Sequence, residues 1–141
     1  MLLLRRGDRL ATVADEITAH GGQALAVICD VADPNHAEQL VAATLTTFGR
    51  LDGVVTNAGI AGGGPAETDT PERFGEVLTV NVTAATQLAA AAARHWISVG
   101  HGGWVIFQSS ILGRRAGTGP GVAAYTASKG AVEQLTRELA R

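Results

Sequence analysis

The 141-residue sequence predicts an α/β fold, a doubly wound parallel sheet with helices on both faces. Two observations predict it. Short aliphatic or β-branched runs alternate with longer stretches whose apolar residues recur three or four apart. The strand runs are also apolar throughout rather than at every second position, as expected for strands covered on both faces by right-handed crossover helices. An apolar content of 46% argues against disorder, and no internal repeat or linker divides the chain, so residues 1–141 read as one domain.

The elements follow in order. Residues 2–4 form a strand stub, and residues 9–19 a helix with Asp8 as candidate cap and Gly21-Gly22 as its stop. Residues 24–29 (ALAVIC) are the next strand. Asp33-Pro34 supplies a cap and a first-turn proline for a helix carrying Ala37, Leu40, Val41 and Leu45 and ending at Gly49. Residues 53–56 return as a strand, Thr70-Pro71 opens a long helical region to about Ser98, and residues 104–108 (WVIFQ) are the fourth strand. A glycine-rich loop over 109–121 leads into a last helix from about Val122 to the chain end.

The 11 basic and 13 acidic residues are scattered, with net charge −2, which gives no electrostatic reason for nucleic-acid or membrane partners. A single cysteine, Cys29, excludes an intrachain disulfide and suits a reducing cytoplasm. The apolar start is ended by Arg5, Arg6 and Asp8, far short of a signal peptide or a membrane span. The histidines His20, His36, His95 and His101 lack metal-ligand spacing and are expected at the surface, so no metal is expected.

Parallel sheets bind ligands at the carboxyl ends of their strands. Those positions hold Arg5-Arg6, Asp30-Val31, Asn57-Ala58-Gly59 and Ser109-Ser110. On the last helix, Tyr125 and Lys129 stand four apart and share a face. Hydride reduction of a carbonyl leaves an alkoxide that needs a proton. A phenol with a pKa of about 10 donates poorly at neutral pH unless a neighbouring ammonium lowers that value. Alone, the pair reads more readily as a core aromatic beside a solvated charge.

Tyr125-x-x-x-Lys129 resembles the active-site motif of the short-chain dehydrogenase/reductase family, and four further family motifs follow the expected order. Asn57-Ala58-Gly59 resembles its Asn-Ala-Gly motif, and Asp30-Val31 the acidic and aliphatic pair that contacts adenine. Asn81 resembles the asparagine of its catalytic tetrad, and Ser109-Ser110 closes the strand that delivers the catalytic serine. Ser110 is the preferred serine because Gly113 follows it by three, and Ser109 is the fallback; the fifteen-residue step to Tyr125 is about two longer than the usual family pattern. The glycines from Gly59 to Gly64 imitate a dinucleotide phosphate loop but follow the wrong strand for one.

The resemblance implies an incomplete Rossmann-like sheet, from the family's second strand to its catalytic helix, without the first strand and phosphate loop or the final strands. It implies an oxidoreductase acting on an alcohol or ketone with NAD(P). Tyr125 would be the acid/base, Lys129 would lower its pKa and hold the nicotinamide ribose, Ser110 would orient the carbonyl, and Asn81 would support the proton relay. Arg5 at the end of the first strand run, with no acidic residue there, favours NADP. Asp30, Val31, Asn57, Ala58 and Gly59 would complete the cofactor contacts. A cytoplasmic homodimer or homotetramer is implied, and this stretch alone is expected to be inactive. The alternatives are a catalytically silent domain kept for assembly and an epimerase or dehydratase relative.

Overall fold

The computed structural model describes residues 2–4, 7–62, 65–117 and 121–140. Arg5 and Arg6 lie outside the described residues. Four short parallel strands alternate with helices: β1 (Leu2–Leu4), α1 (Gly7–Ala19), β2 (Ala26–Ile28), α2 (His36–Phe48), β3 (Gly53–Thr56), α3 (Pro71–Leu78), α4 (Ala84–Val99), β4 (Trp104–Phe107) and α5 (Ala123–Leu139). A wide π turn (Thr79–Thr83) joins α3 to α4, and a single 3-10 turn (Ile111–Gly113) precedes α5.

Several boundaries differ from the sequence expectation. Helix α1 begins at Gly7, which puts Asp8 inside its first turn rather than at the cap. Helix α2 begins at His36 because Asp33 closes a turn first: its carboxylate accepts from the Asn35 amide at 2.8 Å and its carbonyl from the His36 amide at 3.0 Å. Thr70 does cap α3, its hydroxyl accepting from the Arg73 amide, with Pro71 at the first helical position.

The core lies where α2 and α4 cover β3, among Ala37, Val41, Leu51, Val54, Ala91, Ala92 and Trp96. Alanines on α4 let the two helices approach closely, and the Trp96 indole donates to the Leu51 carbonyl at 2.7 Å, tying α4 to the turn before β3. His36, expected at the surface, is instead 1% exposed. Its Nδ1 lies 2.8 Å from the Asp33 carbonyl and its Nε2 3.2 Å from the Ala84 carbonyl, so the ring bridges the starts of α2 and α4. The neutral ring has one N–H, which donates to one of these two carbonyls.

The parallel sheet is incomplete, as expected, and its strands form two pairs, β1 with β2 and β3 with β4. Among the described residues, the core helices α2 and α4 pack on one face of the β3–β4 pair, around Val54. The opposite face presents Val55, Trp104 and Ile106, each about half exposed, with the Trp104 ring lying over Gly53.

An uncovered apolar face beside an open strand edge promotes association. The 141-residue chain, purified at micromolar concentration, is expected to self-associate by size-exclusion chromatography and sedimentation. The double variant Val55→Thr, Ile106→Thr should reduce that association while leaving helical content unchanged; a monodisperse wild-type chain would contradict this.

Candidate active site

Helix α5 carries Tyr125, Ser128 and Lys129 on the side turned toward the π turn. Ser128 and Lys129 are buried, at 0% and 4% exposure. The Lys129 ammonium donates to the Gln108 carbonyl at the end of β4, at 2.7 Å, and lies 5.5 Å from the Tyr125 ring centroid. An ammonium has three donors, so this bond leaves Lys129 further hydrogen-bonding capacity.

Asn81 sits in the π turn and is 2% exposed. Its Oδ1 accepts from the Ile60 amide at 2.8 Å, and its Nδ2 donates to the Ile60 carbonyl and to Ser128 Oγ, both at 2.9 Å. Ser128 Oγ in turn donates to the Tyr125 carbonyl at 2.7 Å. One amide therefore joins the loop after β3, the π turn and the helix of Tyr125 and Lys129. The widened turn, which the sequence reading took as continuous helix, aims that amide inward; π turns often mark functional positions for this reason.

The loop after β3 approaches so closely that a Cβ on Gly59 would lie 3.3 Å from Asn81 Oδ1 and 3.7 Å from Lys129 Nζ. A side chain there would press on Asn81. Asn57, Ala58 and Gly59, together with Asp30 and Val31, line one end of a cleft of about 980 Å³ that runs along β3 from Asp52 to Asn57 and is bounded by α2 and α4. Asp30 also accepts from the Ala32 amide at 3.0 Å, fixing the turn after β2. Cys29 on the same wall is half-buried. Burial first, and then the carboxylates of Asp33 and Asp30, push its thiol up from the ordinary value, which disfavours the thiolate.

The two serines after β4 have different partners. The Ser110 hydroxyl accepts from the Leu112 amide at 3.2 Å and caps the 3-10 turn. Ser109 Oγ has the Lys129 carbonyl at 3.2 Å and Glu133 Oε1 at 3.3 Å within reach. Sequence reasoning missed Glu133, whose carboxyl is held below the ordinary carboxylate range chiefly by a hydrogen bond from Arg114, with Ser109 and Arg137 assisting. It also missed Ser128. The available signals were position alone: Ser128 precedes Lys129, and Glu133 stands one turn beyond it. The structure thus gathers Asn81, Lys129 and the Asn57–Gly59 loop, and packs the Ser110 turn against α5. Arg5 falls outside the described residues. Among those residues no group of three His, Cys, Asp or Glu could hold a metal ion, and no helix is long and apolar enough to cross a membrane.

The family model described as short chain dehydrogenase matches residues 1–141. The chain belongs to that family. It is 38% identical over 128 residues to versicolorin reductase 1 of Aspergillus parasiticus, covering 91% of this chain and 47% of that protein. Among solved structures, a short-chain type dehydrogenase/reductase from Mycobacterium marinum superposes with a TM-score of 0.92 at 34% identity, covering 97% of this chain and 56% of that one. A metagenomic short-chain oxidoreductase in complex with NADP superposes with a TM-score of 0.86 at 32% identity, over 98% and 62% of the two chains. The fold is therefore the Rossmann-like fold of these neighbours, and the chain spans about half the length of the curated relatives it matches.

Replacing Asn81 with Ala leaves the Ile60 amide without its acceptor and Ser128 without its donor. Asn81→Ala is expected to destabilise the protein carrying this chain by about 1–3 kcal/mol, read as a lower denaturant midpoint at unchanged m. An unaltered midpoint would show that Asn81 does not join these segments.

Proposed function

We propose that the protein carrying this chain interconverts an alcohol and a ketone with NAD(P), using Tyr125 as acid/base. The observation that carries this reading is the buried Lys129 ammonium, fastened to the end of β4 and 5.5 Å from the Tyr125 ring, beside Asn81 and Gly59. A structural lysine has no need of burial against a tyrosine at the carboxyl end of a sheet, and burying an ammonium is costly without partners.

The cleft wall fits a dinucleotide. Asp30 can accept from an adenine amino group with Val31 against the ring, while Asn57, Ala58 and Gly59 supply a close backbone surface that a Cβ would obstruct. Lys129, with donors beyond its bond to Gln108, would hold a ribose hydroxyl. When bound, the reduced nicotinamide supplies the hydride that the carbonyl carbon accepts. Ser110 donates its hydroxyl hydrogen to the carbonyl oxygen and orients it. Tyr125 gives its phenolic proton to the oxygen as the alcohol forms, and Lys129 places positive charge beside the phenolate left behind. Asn81 contributes through position, since its amide is occupied by Ile60 and Ser128.

NADP is the favoured form in this reading, because Arg5 follows β1 and no acidic residue there would hold a ribose 2′-hydroxyl. The described elements are read as one partial domain running from the family's second strand to its catalytic helix, and a cytoplasmic homo-oligomer completes the reading.

Oxidation of NADPH and NADH in the presence of a panel of monocyclic and bicyclic ketones tests it. Tyr125→Phe should lower turnover on the order of a hundredfold or more, with the Kd for NADPH changed only a few-fold. Near-wild-type turnover by the variant would overturn the assignment, and more efficient use of NADH than NADPH would overturn the cofactor preference.

A further inference from the structure

The turn that carries Ser110 is fastened to α5 at both ends by one side chain. Glu133 is shielded, its side chain 13% exposed. Its Oε1 lies 3.3 Å from the Ser109 hydroxyl, immediately before Ser110, and its Oε2 accepts from Arg114 Nε at 2.7 Å, immediately after the 3-10 turn. Arg137, one turn along the helix, reaches the same Oε2 at 3.4 Å. The single hydroxyl hydrogen of Ser109 is shared between Glu133 Oε1 and the Lys129 carbonyl at 3.2 Å, so the clamp meets the helix at the lysine of the site.

The backbone contact beneath the clamp is tight. A Cβ on Gly113 would stand 2.9 Å from the Lys129 carbonyl oxygen and 3.0 Å from Glu133 Oε1, a separation that side-chain carbons do not adopt. With glycine at this point, the turn lies directly on the helix at Lys129 and Glu133. The Ser110 hydroxyl caps the same turn through the Leu112 amide, so its position depends on how that turn is seated. Exposed ion pairs contribute little to stability. This one differs in being shielded on the carboxylate side and in holding two flanks of one turn at once.

We propose that Glu133 is a positioning residue for the reaction: through Ser109 and Arg114 it sets the Ser110 hydroxyl in register with Tyr125 and Lys129. The inference rests on the reading of Ser110, Tyr125 and Lys129 as the reacting groups. A displacement of Ser110 leaves the cofactor contacts of Asp30, Val31 and the Asn57–Gly59 loop intact, so the effect falls on turnover rather than on cofactor binding.

The test uses the protein carrying this chain, with NADPH oxidation measured against the same ketones. Glu133→Gln and Arg114→Ala should each lower kcat on the order of tenfold, with the KM for NADPH and the thermal midpoint nearly unchanged. Arg114→Lys, which restores a cation to the carboxylate, should recover most of the loss. Tyr125→Phe is measured beside them. Turnover abolished in Tyr125→Phe but unchanged in both Glu133→Gln and Arg114→Ala would overturn this inference and leave the reductase reading standing. A parallel fall in kcat and thermal midpoint that Arg114→Lys does not relieve would overturn it in favour of a stability role. Absence of wild-type turnover with every ketone and both cofactors would overturn both.

Discussion

Asn81 makes three hydrogen bonds from a buried amide, and the arrangement of the site depends on them. Two go to the amide and carbonyl of Ile60 and one to Ser128. In a regular helix a side chain at position 81 would compete with its own backbone ladder. The π turn over Thr79–Thr83 widens the coil by one residue and lets the amide face inward. The loop after β3 and the helix of Tyr125 and Lys129 are thereby held to a common point. A half-satisfied amide here would cost more than an apolar residue, which is why the bonds to Ile60 and Ser128 function as a unit.

The sheet itself supplies less of the organisation than its class would lead one to expect. The β1–β2 and β3–β4 pairs are not hydrogen-bonded to each other among the described residues. What connects them on the helical face is α2, which follows β2 and packs on α4, with His36 bridging the Asp33 turn to Ala84. The cleft that runs along β3 to the carboxyl ends of β2 and β3 therefore has residues from each pair in its lining, with α2 and α4 beneath it. Its position between two pairs explains how Asp30 and Asn57, 27 residues apart in sequence, border the same space.

Much of this was legible in the sequence, and the remainder was hidden for physical reasons. Period and punctuation located the strands and the helical regions, α3 and α4 reading as one, with Gly49 and Thr70-Pro71 marking their ends as anticipated. The i, i+4 spacing of Tyr125 and Lys129 placed them on one helical face, and the strand-end rule pointed to Asp30, Val31 and Asn57–Gly59, which do share a cleft wall. The π turn was not legible, because what sustains it is a set of partners distant in sequence from Asn81. Nor was the one-sided cover of β3–β4: a run such as Gly53–Thr56 is apolar on both faces and does not say which face has a helix. His36 resembled any polar residue near a turn, and Glu133 any charge on a solvated helix face. Their partners, Ala84 for one and Ser109 and Arg114 for the other, lie 48, 24 and 19 residues away.

The measurement that bears most directly on the whole account is a crystal structure of the protein carrying this chain with bound NADP. The account predicts adenine against Asp30 and Val31, the dinucleotide along Asn57–Gly59, and the nicotinamide ribose within hydrogen-bond reach of Lys129 and Tyr125. A dinucleotide bound away from the Asn57–Gly59 loop, or a nicotinamide end remote from Tyr125 and Lys129, would contradict it.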